Sequence, residues 1–526
     1  MESTTSPSIT TFLRRHALEQ PNRKAVIDSM TGETLTYSEL LTATLQLKNG
    51  LTGTGISAGM RVGIVALNSL RNVKLILALA EIGAIAVPLN LRLNPKEAAA
   101  NLADAETEAI VTDKTMLPLA EAVSAATNIN IKLTLEDSEE GWISTESLQT
   151  ESSEAGDQTK TYEPSGSTPA TLLFTSGTTG RAKGCILTHR TWVGYGRNMA
   201  ASIKMDRDDV YLAFLPYFHV AGLGTMLSQL VLGGTVVTLG VSDPQKMYQA
   251  IADHGVTIVF VVPGISGPFV DFADRDSYDV ASLRLVISGA GMERLRLGEQ
   301  VAERLGADYC AIYGQTEAGT KITWATLEQQ KQNPDTYGYL MPGISYRIVD
   351  ENDNDVPDGT PGELIIRSET VMNGYWNRED ATAETLRGGW HHTGDTFVHE
   401  GDGLVRMVDR TKYLIKTGGE NVYPQEVETA LKTHPSIADN SVIGIPDPDW
   451  GETVKAFVVV KEGAEITRAE VDEWARKSIA GYKVPRFVEF IDVIPRNESG
   501  KVLKNLLAEH ETTPDQRVIK SGAPND

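Results

Sequence analysis

Short apolar runs, each cut off by glycine, proline or serine, alternate along this chain with stretches whose apolar residues recur at helical spacing. Residues 61–67 read as a buried strand, 75–82 as a helix, 83–89 as a strand and 109–112 as another. Upstream, 9–17 carries a helical period, a short strand follows Pro21 at 25–27, and Ser38 heads a further helix through the capping pattern at 36–41. Downstream, the runs at 256–262, 283–288 and 309–313 each end in Gly, Pro or Ser, as strand ends opening into a crevice would. Strands alternating with helical segments predict an α/β fold with parallel-rich sheets.

The pattern changes twice. Between 338 and 395 the strands become shorter and turn-punctuated, which predicts a small β-rich subdomain over 338–410. From 411 a compact unit begins: helix 427–432, strands 441–445 and 454–460, helix 468–479 and strand 487–490. The expected organisation is therefore a large N-terminal domain, 1–410, and a small α+β C-terminal domain, 411–526. Residues 146–168 have no apolar period and read as a mobile linker, and a disordered tail is expected from about 511.

Composition narrows the function. With 526 residues, more than one core is expected. A net charge of -22 argues against nucleic-acid partners and anionic membranes held by bulk charge, so any nucleotide must be gripped by local devices. Cys185 and Cys310 are far apart and lack metal-ligand spacing, no apolar stretch is long enough to span a bilayer, and no signal segment opens the chain. A cytoplasmic protein is expected.

The candidate chemistry centres on 172–184. An apolar run ends at Phe174, and Thr175, Ser176, Gly177, Thr178, Thr179, Gly180 and Lys183 follow. Glycines let backbone N–H groups converge, the hydroxyls add donors and the lysine adds charge: an anion cradle suited to a polyphosphate. It is not a Walker loop, because Lys183 precedes Gly184 and not Ser or Thr. The helix behind the loop is expected at 187–199. A second cluster, Tyr313-Gly314-Gln315-Thr316-Glu317, puts a carboxylate after a strand end, where it could hold magnesium beside a phosphate oxygen. Asp395 follows Thr393-Gly394 and could grip a ribose diol. Tyr217, Phe218 and Gly222 flank His219 and suggest a pocket wall.

In this order these strings resemble the adenylate-forming superfamily, most nearly its AMP-forming acyl-CoA synthetases, over about residues 10–505. The resemblance implies a two-step ligase. A carboxylic acid attacks the α-phosphate of ATP to give an acyl-adenylate and pyrophosphate, and the thiol of coenzyme A then displaces AMP. It implies that Thr175–Gly180 and Lys183 cradle phosphates, and that Thr316 and Glu317 contact AMP and Mg2+. Gly289, Ala290, Tyr313, Gly314 and Gln315 line the nucleotide, while Asp395 and Arg410 hold the ribose. Lys501 bridges carboxylate and α-phosphate, and Lys412 is the hinge of a mobile C-terminal domain. His219, Gly418 and Gly419 then flank a pantetheine tunnel. Phe218, His219, Val220, Gly222, Leu223, Val262, Gly289, Gly291 and Gly314 would line the acyl pocket. Mostly apolar, that lining implies a medium-sized to bulky aliphatic or aromatic acid. An acyl carrier protein is the alternative thiol, a non-catalytic nucleotide binder the alternative of another class, and a homodimer is compatible with the resemblance.

Overall fold

The computed structural model describes residues 7–127, 129–149, 164–175, 182–262, 264–289, 294–410, 413, 415–417, 420–447, 451–479, 481–496 and 502–516. Two compact units emerge: residues 1–346 with 366–391, and residues 347–365 with 392–526.

The first unit carries two large sheets. In one, strands Ile143–Ser144, Ile131–Thr134, Ala109–Thr112, Arg61–Val65, Ile85–Pro88 and Pro169–Thr175 lie side by side and parallel, and Lys183–Thr188 closes the edge antiparallel. The other has nine strands. Its middle, from Asp308–Gln315 through Leu285–Gly289, Ile258–Val261, Val210–Ala213 and Thr235–Thr238 to Lys24–Asp28, is parallel; antiparallel strands cap both sides. The α/β fold expected from the alternation is present. Central strands such as Ala109–Thr112 and Ile258–Val261 are buried at every position, because a parallel sheet is covered on both faces.

The second unit holds a four-stranded sheet, ordered Ser345–Val349, Gly362–Arg367, His391–His399, Val405–Arg410. It also holds a five-stranded sheet built on the long hairpin Ile437–Asp447/Gly451–Val460, with helices Pro424–Lys432 and Arg468–Arg476. A separate core formed by Val427, Leu431, Val442, Ala456, Val471 and Val488 fills it.

Three local expectations change. The helix expected at Ser38 begins at Tyr37, because Thr36 is the true N-cap: its hydroxyl accepts from Glu39 N and Glu39 caps it in return. The helix expected at 187–199 is His189–Ile203, because Lys183–Thr188 first pairs with Pro169–Thr175 as a strand. The tail is ordered past 511: Lys455 Nζ donates to Thr512 Oγ1 at 3.0 Å, and Pro514–Gln516 forms a 3-10 turn. Most of the linker, 150–163, and the last residues, 517–526, lie outside the described residues.

Candidate active site

Strands Pro169–Thr175 and Lys183–Thr188 pair antiparallel, and Thr175 opposite Lys183 is the described pair nearest the expected phosphate-loop string. Ser176, Gly177, Thr178, Thr179 and Gly180 lie outside the described residues. Beyond the pair, Lys183 Nζ sits 4.9 Å from the centroid of the Tyr375 ring, a cation–π distance.

Thr316 and Glu317 occupy the turn between antiparallel strands Asp308–Gln315 and Thr320–Thr326. Gly319, at φ +62, makes that turn possible: its N–H returns to Thr316 O at 2.9 Å, and a Cβ there would collide with Thr370 O. Glu317 is pinned twice by one neighbouring segment. Met372 N donates to its carbonyl at 2.9 Å, and Tyr375 Oη donates to its Oε1 at 2.9 Å. The same segment docks on the loop hairpin, where Ile186 N donates to Gly374 O and Trp376 N to Gly184 O. Residues 372–376 therefore tie the Lys183 strand to the Glu317 turn. Burial first, then the Glu317 carboxylate charge, holds the Tyr375 phenol well above its ordinary pKa, so it stays a donor.

Gln315 is oriented by two side chains: its Nε2 donates to Tyr313 Oη at 3.1 Å, and its Oε1 lies 3.0 Å from His391 Nε2. Gly289 ends its strand where a Cβ would stand 3.3 Å from the Phe260 ring. Ala290 and Gly291 lie outside the described residues.

Phe218 and His219 precede helix Val220–Leu232, with ring centroids 4.4 Å apart. His219 is solvent-exposed at the start of that helix. The surrounding protein and the Arg92 cation both lower its pKa, so the imidazole is neutral near pH 7. Gly222 allows the helix start to press on the preceding turn, because a Cβ there would overlap Pro216 O and Leu215 O. Leu223 is wholly buried, while Val220 and Val262 are half-buried. A cavity of about 300 Å³ adjoins this corner, lined by Asn68, Arg92, Pro216, Tyr217 and Phe218 among others.

In the second unit, Asp395 is buried and directly opposite Arg410 in the antiparallel ladder. Its N–H donates to Thr393 Oγ1, which in turn donates to Leu364 O at 2.6 Å. Glu363 braces the approach by accepting from Gly394 N and sitting 2.9 Å from His392 Nδ1. Lys412, Gly418, Gly419 and Lys501 lie outside the described residues. Described residues bracket two of these sites: Thr417 pairs with Glu420 around the glycines, and Arg496 bridges Val502 around Lys501.

No group of three or more His, Cys, Asp or Glu side chains among the described residues could hold a metal by itself. A lone Glu317 carboxylate still suits Mg2+, which takes one or two carboxylates and completes its shell with phosphates and water. Sequence reasoning did not single out Tyr375 or His391. Their roles depend on contacts 58 and 76 residues away, which no local pattern encodes.

Comparison with known proteins matches residues 13–376 to the AMP-binding enzyme family and 426–501 to the AMP-binding enzyme C-terminal domain. A feruloyl-CoA synthase from Amycolatopsis sp. is 34% identical over 93% of this chain and 96% of its own. A fatty acid–[acyl-carrier-protein] ligase from Streptomyces coeruleorubidus is 32% identical over 94% of each. The structure of o-succinylbenzoate coenzyme A synthetase from Bacillus subtilis, in complex with ATP and magnesium ion, superposes with a TM-score of 0.81. It is 27% identical, covering 94% of this chain and 98% of that one.

Proposed function

The chain belongs to the AMP-binding enzyme family, and from that premise we propose that it joins a carboxylic acid to coenzyme A through an acyl-adenylate. Neither step needs a protein nucleophile, since the mixed anhydride is itself the activated species. The protein's task is to bring two anions together and to stabilise charge on the transferring phosphorus. Lys183 and the loop from Thr175 to Gly180 hold the β- and γ-phosphates. Glu317 would hold Mg2+, whose contribution is to neutralise phosphate charge. Thr316, Gln315 and Tyr313 face the nucleotide, Asp395 and Arg410 hold its ribose, and Lys501 spans the carboxylate and α-phosphate.

The observation that carries this reading is the bridge made by residues 372–376, which fixes the Glu317 carboxylate and the Lys183 cation on one tyrosine. A metal-anchoring carboxylate beside a phosphate-binding cation has little use in a protein that does not handle a polyphosphate. The hinge of a mobile C-terminal domain, 411–526, is assigned to Lys412, within the second compact unit. Rotation there exchanges Lys501 for Gly418-Gly419, and neutral His219 flanks the pantetheine path without adding charge to it. The acid is medium-sized to bulky and mostly apolar, held by burial. No helix among the described residues is long and apolar enough to cross a membrane.

The test is pyrophosphate release with magnesium-ATP across a panel of carboxylic acids, with and without coenzyme A. Acid-dependent release that drops about a hundredfold or more in Lys501→Ala is expected, with acyl-CoA appearing when coenzyme A is supplied. Adenylate that accumulates with coenzyme A present, yet transfers to a carrier protein, would move the thiol assignment to that relative's chemistry. No release with any acid would overturn the reading.

A further inference from the structure

One buried cation takes no part in the chemistry above. Lys321 is 3% exposed, on strand Thr320–Thr326 directly opposite Gly314. Its ammonium points between helices His189–Ile203 and Val220–Leu232, 3.0 Å from Met199 Sδ and 3.4 Å from Thr225 Oγ1. It lies 5.0 Å from the Tyr195 ring centroid and 4.7 Å from that of Phe260. An ammonium has three donors, and a thioether is a weak acceptor. No carboxylate pairs with Lys321 among the salt bridges of the described residues. Burying such a group unpaired is expensive, and a methionine of similar length would fill the same volume at far less cost.

The surroundings indicate what offsets that cost. Phe260, under the ammonium, is the ring that Gly289 would touch if it carried a Cβ. Thr225 lies one turn along the helix that also carries Gly222 and Leu223. Gly289, Gly314, Gly222 and Leu223 are among the residues that the resemblance assigns to the acyl pocket, and the ammonium sits among the side chains that neighbour them. Glu317, four residues earlier in the same hairpin, turns its carboxylate to Tyr375 instead. The two side chains therefore serve different ends of the site.

We propose that Lys321 closes the far end of the acyl pocket and donates a hydrogen bond to an oxygen at the tip of the substrate. The preferred acid is then apolar along its length, with one carbonyl or hydroxyl acceptor distal to the reacting carboxylate. This rests on the ligase reading and narrows its substrate class. A site built to hydrogen-bond a substrate oxygen discriminates strongly against the analogue lacking it, because its own buried donor is left unpaired.

The experiment measures kcat/KM for pyrophosphate release with phenylpropanoic acid and its para-hydroxy and para-acetyl derivatives, in the wild type and in Lys321→Met. The wild type is expected to favour at least one oxygenated acid by about tenfold or more, and Lys321→Met to favour the unsubstituted acid. Release with the unsubstituted acid, together with an ATP-induced rise in melting temperature, shows that the variant is folded. A wild type that prefers the unsubstituted acid overturns the proposal without recourse to any variant. So does an unchanged preference in Lys321→Met, which would leave Lys321 a packing residue. If the wild type turns over no acid at all, both this inference and the ligase reading fall; turnover of unsubstituted acids alone removes only this one.

Discussion

Tyr375 Oη donates a 2.9 Å hydrogen bond to Glu317 Oε1, while the same ring lies 4.9 Å beneath the Lys183 ammonium. One side chain thus sets the spacing between a carboxylate and a cation that lie far apart in sequence. Tyr375→Phe keeps the ring and loses the tether. The expected result is a fall of about tenfold in kcat/KM for ATP, in line with a hydrogen bond to a charged group, and a higher Mg2+ concentration for half-maximal rate. A magnesium titration of pyrophosphate release checks this; an unchanged titration would mean that Glu317 is held adequately by Met372.

Asp395 is buried opposite Arg410, with its backbone anchored through Thr393 to Leu364. A carboxylate there can accept from both hydroxyls of a ribose. The wild type should therefore prefer ATP over its deoxyribose analogue, and Asp395→Asn should lose most of that preference while the strand holds its place. The cost expected on ATP is on the order of 1–3 kcal/mol. Equal discrimination in the two proteins would place the ribose elsewhere.

Gly222 is required by close approach and not by backbone angle: a Cβ would lie 2.3 Å from Pro216 O and 2.4 Å from Leu215 O. Gly222→Ala must push the helix away from the Phe218-His219 turn, at about 1–3 kcal/mol. A melting temperature lowered by several degrees is expected. Gly267→Ala, where a Cβ would meet nothing within 4 Å, should leave it unmoved.

Burial pulls the Lys321 pKa down to about 7, with nearby Cys310 acting in the opposite direction. The titratable groups facing it, Cys310 (pushed up to about 12) and Tyr195 (raised by burial), stay neutral through the alkaline range. Between about pH 7 and the ordinary lysine value the unfolded chain binds the extra proton, so stability conferred through this residue rises with pH there and is flat below. Lys321→Met lacks that titration. Its stability advantage over the wild type should be greatest at pH 7 and below, and should shrink toward pH 9 by up to about 1.4 kcal/mol per pH unit. Denaturant melts of both proteins at several pH values check the sign; a constant difference would mean that the ammonium is not desolvated in the folded state.

Much of the fold was legible before any coordinates. Strand 109–112 and strand 487–490 fall where their apolar runs place them: the first is buried at every position, and the second buries Val488 between half-buried phenylalanines. Boundaries governed by a cap or a pairing partner were not. Thr36 displaces Ser38 as the helix cap, and the strand Lys183–Thr188 exists because Pro169–Thr175 is there to bond it.

The sequence by itself determined which chemical groups are present and in what order: the hydroxyl and glycine string ending at Lys183, the Thr316-Glu317 pair, Asp395, Arg410 and Lys501. These are local, and their residue types suit the phosphate, metal and ribose that we propose they hold. Only the tertiary structure decided which groups meet. Tyr375 reaches Glu317 across 58 residues, and Lys321 finds Thr225 across 96. Such contacts come from sheet order and helix packing, and periodicity along a chain carries no information about which distant side chains will share a cavity.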